Sequence, residues 1–276
     1  MKLLVAGGDA RYGCLAAQAF RAGWDVAALG LERAAQGRFP VCGVEEVGEA
    51  DAVLLNNPWR RGLSLPLAER PYTLEELFAR MRTDARLLLS DAEGAPDALP
   101  FSVTDLSRDE AFVRRNAQLT AEGAIASALR GGWALTDRRC LVLGYGRIAR
   151  ALVRALLGLR APVTVCARRA NARALARDVG ASVCSFEGLS PLIGSFDVIY
   201  NTVPAPVLAA ETLAGVSGRT QLIDLASPPY GFDLTEAREL GLDARRESGL
   251  PGRYCPESAA QALLCAVERA LGGEAL

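Results

Sequence analysis

The chain has 276 residues, 50% hydrophobic and 23% charged, with a formal net charge of -1 and no histidine. That length favours two lobes over one compact domain, the composition excludes a disordered chain, and the charge balance gives no global attraction to nucleic acid or a membrane surface. Without histidine, a Ser-His-Asp hydrolase and a zinc site with His ligands are excluded, and no metal site is expected.

The first stretch reads as an α/β unit. Lys2 to Ala6 predicts a strand, Gly7 to Arg11 a turn, Tyr12 to Ala22 a helix, and Trp24 to Leu29 a second strand. Ala52 to Leu55 is a third apolar run, stopped at Asn56-Asn57-Pro58, and residues 58–72 read as a loop containing Pro58, Pro66 and Pro71. Thr73 and Glu76 stand at capping-box spacing. Arg86 to Ser90 and Phe101 to Thr104 predict further short strands. Strands alternating with helices imply a parallel, doubly wound sheet.

From Arg108 to Arg130 the pattern predicts one long connector helix, with Phe112, Leu119, Ala126 and Leu129 on an apolar face and Gly131-Gly132 ending it. Beyond it a second α/β lobe begins. Cys140 to Leu143 is a short apolar run that meets Gly144-x-Gly146-x-x-Ala149, followed by a helical pattern and a β-branched run from Val163 to Val165. Strand, glycine turn, helix and strand in that order form the context of a dinucleotide fingerprint. Gly144 permits the tight turn, Gly146 lets backbone approach a pyrophosphate, and Tyr145, Arg147 and Ile148 lie in the same turn, where the helix N-terminus offers N–H groups to phosphate.

The second strand of this lobe ends in Ala167-Arg168-Arg169, with no carboxylate until Asp178. A carboxylate there would hydrogen-bond the ribose hydroxyls of NAD, whereas two guanidiniums suit the 2′-phosphate of NADP (or form a solvated loop). Asn171 to Asp178 predicts a helix closed by Gly180. Asp197 to Tyr200 and Thr220 to Leu225 predict strands, and Leu242 to Arg245 the last of the lobe. The first two of these strands end in Asn201-Thr202-Val203-Pro204 and Ala226-Ser227, at the carboxyl ends where open α/β sheets bind ligands, so these six residues are candidate cofactor contacts. Ordinary turn chemistry would also select Asn, Ser and Pro there. Gly249-Leu250-Pro251-Gly252 breaks the chain, and Pro256 to Leu271 predicts a helix crossing back to the first lobe. The expected fold is α/β: two doubly wound parallel-sheet lobes flanking a cleft, the second a Rossmann NAD(P)-binding domain. A long helix and a C-terminal crossover helix join them. The lobes are residues 1–130 with 253–276, for substrate or partner, and 131–252, for the dinucleotide.

Seven cysteines form no C-x-x-C pair, and Cys140, Cys166, Cys184 and Cys265 fall in apolar segments, where a thiol acts as a small hydrophobe. With no secretion signal at Met1 to Asp9 and no apolar run near the roughly 20 residues of a membrane span, a cytoplasmic location is expected.

Several stretches together resemble one family over nearly the whole chain. Gly7-Gly8-Asp9-Ala10-Arg11, Asn116-x-x-x-Thr120-x-Glu122-Gly123 and the glycine fingerprint follow the order of the A-type subunit of dipicolinate synthase. Asn201-Thr202-x-Pro204, Asp224-Leu225-Ala226-Ser227 and Gly249-Leu250-Pro251-Gly252 continue it. The resemblance implies NADP-linked dehydrogenation of dihydrodipicolinate to pyridine-2,6-dicarboxylate in spore formation. It also implies a partner, the flavoprotein-like B-type subunit of the same enzyme. A homo-oligomer is a further candidate assembly. Pro228-Pro229-Tyr230-Gly231 and Pro256-Glu257-Ser258-Ala259 depart from the family's pattern, which tends to carry basic residues in both stretches.

For such chemistry the cofactor takes the hydride, and the protein must bind two carboxylates and accept a proton. Arg11, at the end of the first strand, is the first candidate carboxylate clamp, with Arg245, Arg246 and Arg253 as further cations. On the connector helix Asn116 and Thr120 share a face, and Glu122 is the candidate base. Two alternatives stand beside this reading: an NADP-binding subunit without catalysis of its own, and an NADP-dependent dehydrogenase of another small carboxylate.

Overall fold

A computed structural model describes residues 1–56, 65–92 and 99–272. Asn57 and the first part of the loop expected at 58–72, through residue 64, lie outside the described residues.

By contacts the chain divides into two compact units, Met1–Asn116 with Pro251–Leu276, and Ala117–Leu250. The first unit holds β1 (Lys2–Ala6), α1 (Ala10–Arg21), β2 (Asp25–Leu29), α2 (Glu32–Ala35), β3 (Ala52–Leu55), α3 (Leu74–Phe78), β4 (Arg86–Leu89) and β5 (Ser102–Asp105). Its five strands are all parallel, in the order β2-β1-β3-β4-β5. The near-continuous apolar strands follow from that pairing, because a parallel sheet is covered on both faces. Leu3 and Val5 point into one buried cluster, Leu4 and Ala6 into another. Asp9 caps α1 by accepting a hydrogen bond from the Arg11 N–H, and Thr73 and Glu76 form the expected reciprocal capping box on α3.

The long helix α4 (Glu110–Leu129) belongs to the first unit up to Asn116 and to the second from Ala117. Its apolar stripe is less regular than expected. Phe112 and Leu119 are buried, Ala126 is half-buried and Leu129 is exposed, and small residues such as Ala117, Ala121 and Ala124 supply much of the buried face instead.

The second unit continues with β6 (Cys140–Leu143), α5 (Arg147–Gly158), β7 (Val163–Cys166), α6 (Ala170–Asp178), β8 (Ser182–Cys184) and β9 (Val198–Asn201). It ends with α7 (Ala210–Ala214), β10 (Gln221–Asp224), α8 (Leu234–Glu239) and β11 (Asp243–Arg246). The six parallel strands lie in the order β8-β7-β6-β9-β10-β11, the doubly wound order whose direction reverses between β6 and β9. Strand β8 was not expected. Its three residues, at a sheet edge, leave too little periodicity to read.

After α9 (Leu250–Tyr254), the C-terminal α10 (Pro256–Ala270) starts with Pro256 in its first turn and packs on α1. Ala260, Leu263, Ala266 and Val267 enter the same cluster as Leu3, Val5 and Leu15, so the crossover helix completes the core of the first unit. Leu263 is 1% exposed. Leu263→Ala is expected to cost about 2–5 kcal/mol in urea unfolding, the usual range for a buried leucine truncation. A loss well under 1 kcal/mol would show that α10 contributes little to this core.

Candidate functional site

The second unit carries a cavity of about 560 Å³ at the carboxyl ends of β6, β7 and β9, the point where the strand order reverses. Ligands bind open α/β sheets at such switch points. Gly144 follows β6 with φ +90°, and a Cβ there would meet Thr202 Oγ1 at 2.7 Å and Val203 Cγ2 at 2.9 Å. Only glycine satisfies both the left-handed backbone and the close approach of the next turn. Gly146 is the N-cap of α5 and brings no capping side chain, and a Cβ on it would meet only open space. The α5 N-terminus and the open space beside Gly146 fit a pyrophosphate, which an ordinary side chain at Gly146 would obstruct.

Tyr145 is buried against α6, its hydroxyl donating to Leu175 O at 3.3 Å. Arg150 lies with its guanidinium 5.4 Å from the Tyr145 ring and donates to Tyr145 O at 3.3 Å, which puts a cation on the cavity wall. Beyond β7, Ala167 is buried while Arg168 and Arg169 are exposed and line the cavity. Arg173 Nη1 ties this turn down by donating to Ala167 O at 2.7 Å and Arg168 O at 2.8 Å. Among the described residues, three arginines and no carboxylate line the cavity, a donor set that suits a multiply charged phosphate ligand.

The turn after β9 splits the expected contacts. Val203 and Pro204 line the cavity, but Asn201 and Thr202 do not. Asn201 is fully buried: its Nδ2 donates to Asp224 Oδ1 at 2.7 Å and to Val203 O at 3.0 Å, and its Oδ1 accepts from Val203 N at 3.0 Å. Thr202 Oγ1 donates to Leu143 O at 2.7 Å. Asp224, 1% exposed at the end of β10, also accepts from Ala226 N at 3.1 Å and Gly231 N at 2.9 Å. These side chains are spent on fixing the turns that shape the cavity. Ala226 is half-buried and Ser227 exposed, both outside the cavity lining, as are the exposed Arg147 and half-buried Ile148 in the first turn of α5.

Arg11 is held bidentately by Asp9, with Nε to Oδ1 at 2.9 Å and Nη2 to Oδ2 at 2.8 Å, leaving Nη1 outside the pair. Burial works against this guanidinium, and the Asp9 hydrogen bond and charge outweigh it, so its pKa is raised. Gly252 lies so close to Asp9 that a Cβ would reach the carboxylate carbon at 2.6 Å, so the turn carrying Arg11 and the start of α9 meet without room for a side chain. On α4 Thr120 is buried and Asn116 half-buried, while Glu122 is exposed. Arg245 is engaged by Ser127 and Asp243, and Arg246 lies 3.9 Å over the Tyr230 ring and donates to Phe232 O.

Arg150, Asn171 and Phe186 also line the cavity and were not anticipated. They come from three segments without a shared motif, and only Arg150, four residues past Gly146, carried a signal in its position on the fingerprint helix.

The chain is 31% identical over 145 residues to the A-type subunit of dipicolinate synthase from Bacillus subtilis, a match spanning 52% of this chain and 49% of that protein. No family model matches. In fold, it aligns with the crystal structure of the A-type dipicolinate synthase subunit from Bacillus halodurans over 98% of this chain and 97% of that one, with TM-score 0.83 and 23% identity. The apo-structure of D-lactate dehydrogenase from Escherichia coli shares the fold more distantly, with TM-score 0.61 and 15% identity over 99% and 97% of the two chains. The resemblance to dipicolinate synthase is therefore borne out, by sequence over about half of each chain and by fold over nearly all of both. Among the described residues no helix is long and apolar enough to cross a membrane.

Asp224→Ala would strip a buried acceptor from three N–H donors, each worth about 1–3 kcal/mol when left unpaired. The expected outcome is a loss of several kcal/mol in urea unfolding, with Asp224→Asn intermediate. Equal stability of Asp224→Ala and the parent chain would contradict the pinning role.

Proposed function

From its likeness to the A-type subunit of dipicolinate synthase, we propose that the chain is an NADP-dependent dehydrogenase that oxidises dihydrodipicolinate to pyridine-2,6-dicarboxylate during spore formation. It acts with the second, flavoprotein-like subunit of that enzyme. The observation that carries the cofactor reading is the arginine-lined cavity at the switch point, with open space at Gly146 and exposed guanidiniums at Arg168 and Arg169. The bound nicotinamide cofactor would supply the hydride acceptor. Gly144, Gly146 and the α5 N-terminus would hold its pyrophosphate, and Arg168 and Arg169 its 2′-phosphate. Val203 and Pro204 would flank the dinucleotide from the next strand, on a turn fixed by Asn201, Thr202 and Asp224.

On the substrate side, Arg11 is the clamp for a carboxylate. Asp9 fixes the plane of its guanidinium through Nε and Nη2, so Nη1 is the donor left for a ligand. Asn116 and Thr120 would orient the ring, and Glu122, solvated on α4, is the proton acceptor.

Purified protein with NADP⁺ and enzymatically generated dihydrodipicolinate, with the flavoprotein-like partner present, should produce NADPH absorbance. In the same preparation Arg168→Glu should weaken NADPH by about tenfold or more, one charge-assisted phosphate contact being worth about 1.5–3 kcal/mol, and leave NADH nearly unchanged. Cofactor binding without turnover would leave a nucleotide-binding subunit. Equal losses for NADPH and NADH would remove the 2′-phosphate assignment.

A further inference from the structure

Two of the seven cysteines meet where the sequence gives no hint of it. Cys166, the last residue of β7, and Cys184, the last of β8, are register partners on neighbouring parallel strands. Both are free; Cys166 is buried and Cys184 half-buried. Adjacent strands run about 4.8 Å apart, inside the Cα separation of about 4.4–6.8 Å that a disulfide spans. Each thiol is the largest influence on the acidity of the other. The neighbouring Cys166 thiol holds Cys184 below the ordinary thiol range, against its burial and with help from the Arg173 charge. Cys166 is pushed up by the neighbouring Cys184 and by burial. The more accessible sulfur is thus the one favoured as thiolate, the order required of an attacking and a resolving cysteine.

The pair adjoins the cavity. Ala167 and Phe186, one and two residues beyond the two sulfurs, line it, and Ala167 N donates to Cys184 O at 3.2 Å. Arg173, the charge that favours the Cys184 thiolate, is also the side chain that ties down the Arg168 turn.

We propose that Cys184 and Cys166 are a redox-active thiol pair whose oxidation bridges β7 to β8 and weakens dinucleotide binding in the adjoining cavity. The second part rests on the dinucleotide reading of that cavity. The oxidant is a low-molecular-weight disulfide. The Cys184 thiolate attacks one of its sulfurs, forming a mixed disulfide and expelling one small thiolate. The Cys166 thiol then gives up its proton and attacks the Cys184 sulfur, expelling the second. Two protein thiols are oxidised and one small disulfide is reduced to two thiols. Closing the sulfurs to a covalent bond of about 2.05 Å draws the strand ends together and shifts the turns carrying Ala167, Arg168 and Phe186.

The test treats the reduced full chain with oxidised glutathione, blocks remaining thiols with N-ethylmaleimide and maps the peptides by mass spectrometry. A Cys166–Cys184 cross-linked peptide should form ahead of adducts at the other five cysteines. Cys166→Ala should instead trap glutathione on Cys184, and Cys184→Ser should leave Cys166 reduced. The cross-linked protein should bind NADPH several-fold more weakly than the reduced protein and recover with dithiothreitol. Adducts elsewhere without that cross-link, or unchanged NADPH affinity after it forms, would overturn the proposal. Reduced protein that binds no dinucleotide at all would overturn the cavity's assignment and leave the cross-linking result to stand or fall alone.

Discussion

The buried carboxylate of Asp224 holds the carboxyl edge of the second unit's sheet in shape. Among the described residues no cation pairs with it, and three N–H donors from Asn201, Ala226 and Gly231 take the place of one. Charge-assisted bonds of that kind offset the desolvation of a buried carboxylate, and removing any one leaves a costly vacancy. Through Asn201 the same network reaches Val203, and Val203 with Thr202 packs against Gly144, where a single added carbon would clash. The strand ends after β6, β9 and β10 are therefore one locked set, and the cavity above them inherits its shape.

What that floor supports is an electrostatically one-sided wall. Arg150, Arg168 and Arg169 line the cavity, with the N-terminus of α5 beside them. On the chain as a whole the charges nearly cancel, so this local excess is not a by-product of a basic protein. Local concentration of one sign, with helix-terminal donors, is how a small fold holds a polyphosphate ligand while its surface stays neutral. The first unit uses its cations differently. Arg11 is paired and partly buried, a fixed guanidinium more than a mobile one, which suits placing a small anion in one orientation.

The parts of this arrangement that leave a local chemical trace were legible in the sequence. Gly144 and Gly146 are dictated by backbone geometry, and the absence of a carboxylate after β7 is visible by inspection. Parallel strands buried on both faces read as apolar runs, so the two sheets and their alternating helices could be anticipated. The rest depends on pairing between distant residues. Asn201 sits where a ligand contact is expected, yet it turns inward because Asp224, 23 residues later, lies across a strand boundary from it. Phe186 and Asn171 reach the cavity from segments with no motif, and β8 is too short to announce itself. Cys166 and Cys184 became a pair only once β7 and β8 fixed their register.

In the proposed function the second unit binds a dinucleotide carrying a 2′-phosphate. Titrating the reduced, full-length chain separately with NADPH and NADH, followed by calorimetry, tests it most directly. NADPH should bind at least about tenfold more tightly, the 1.4 kcal/mol that a modest phosphate contact supplies. Equal or tighter binding of NADH, or no binding of either, would contradict it.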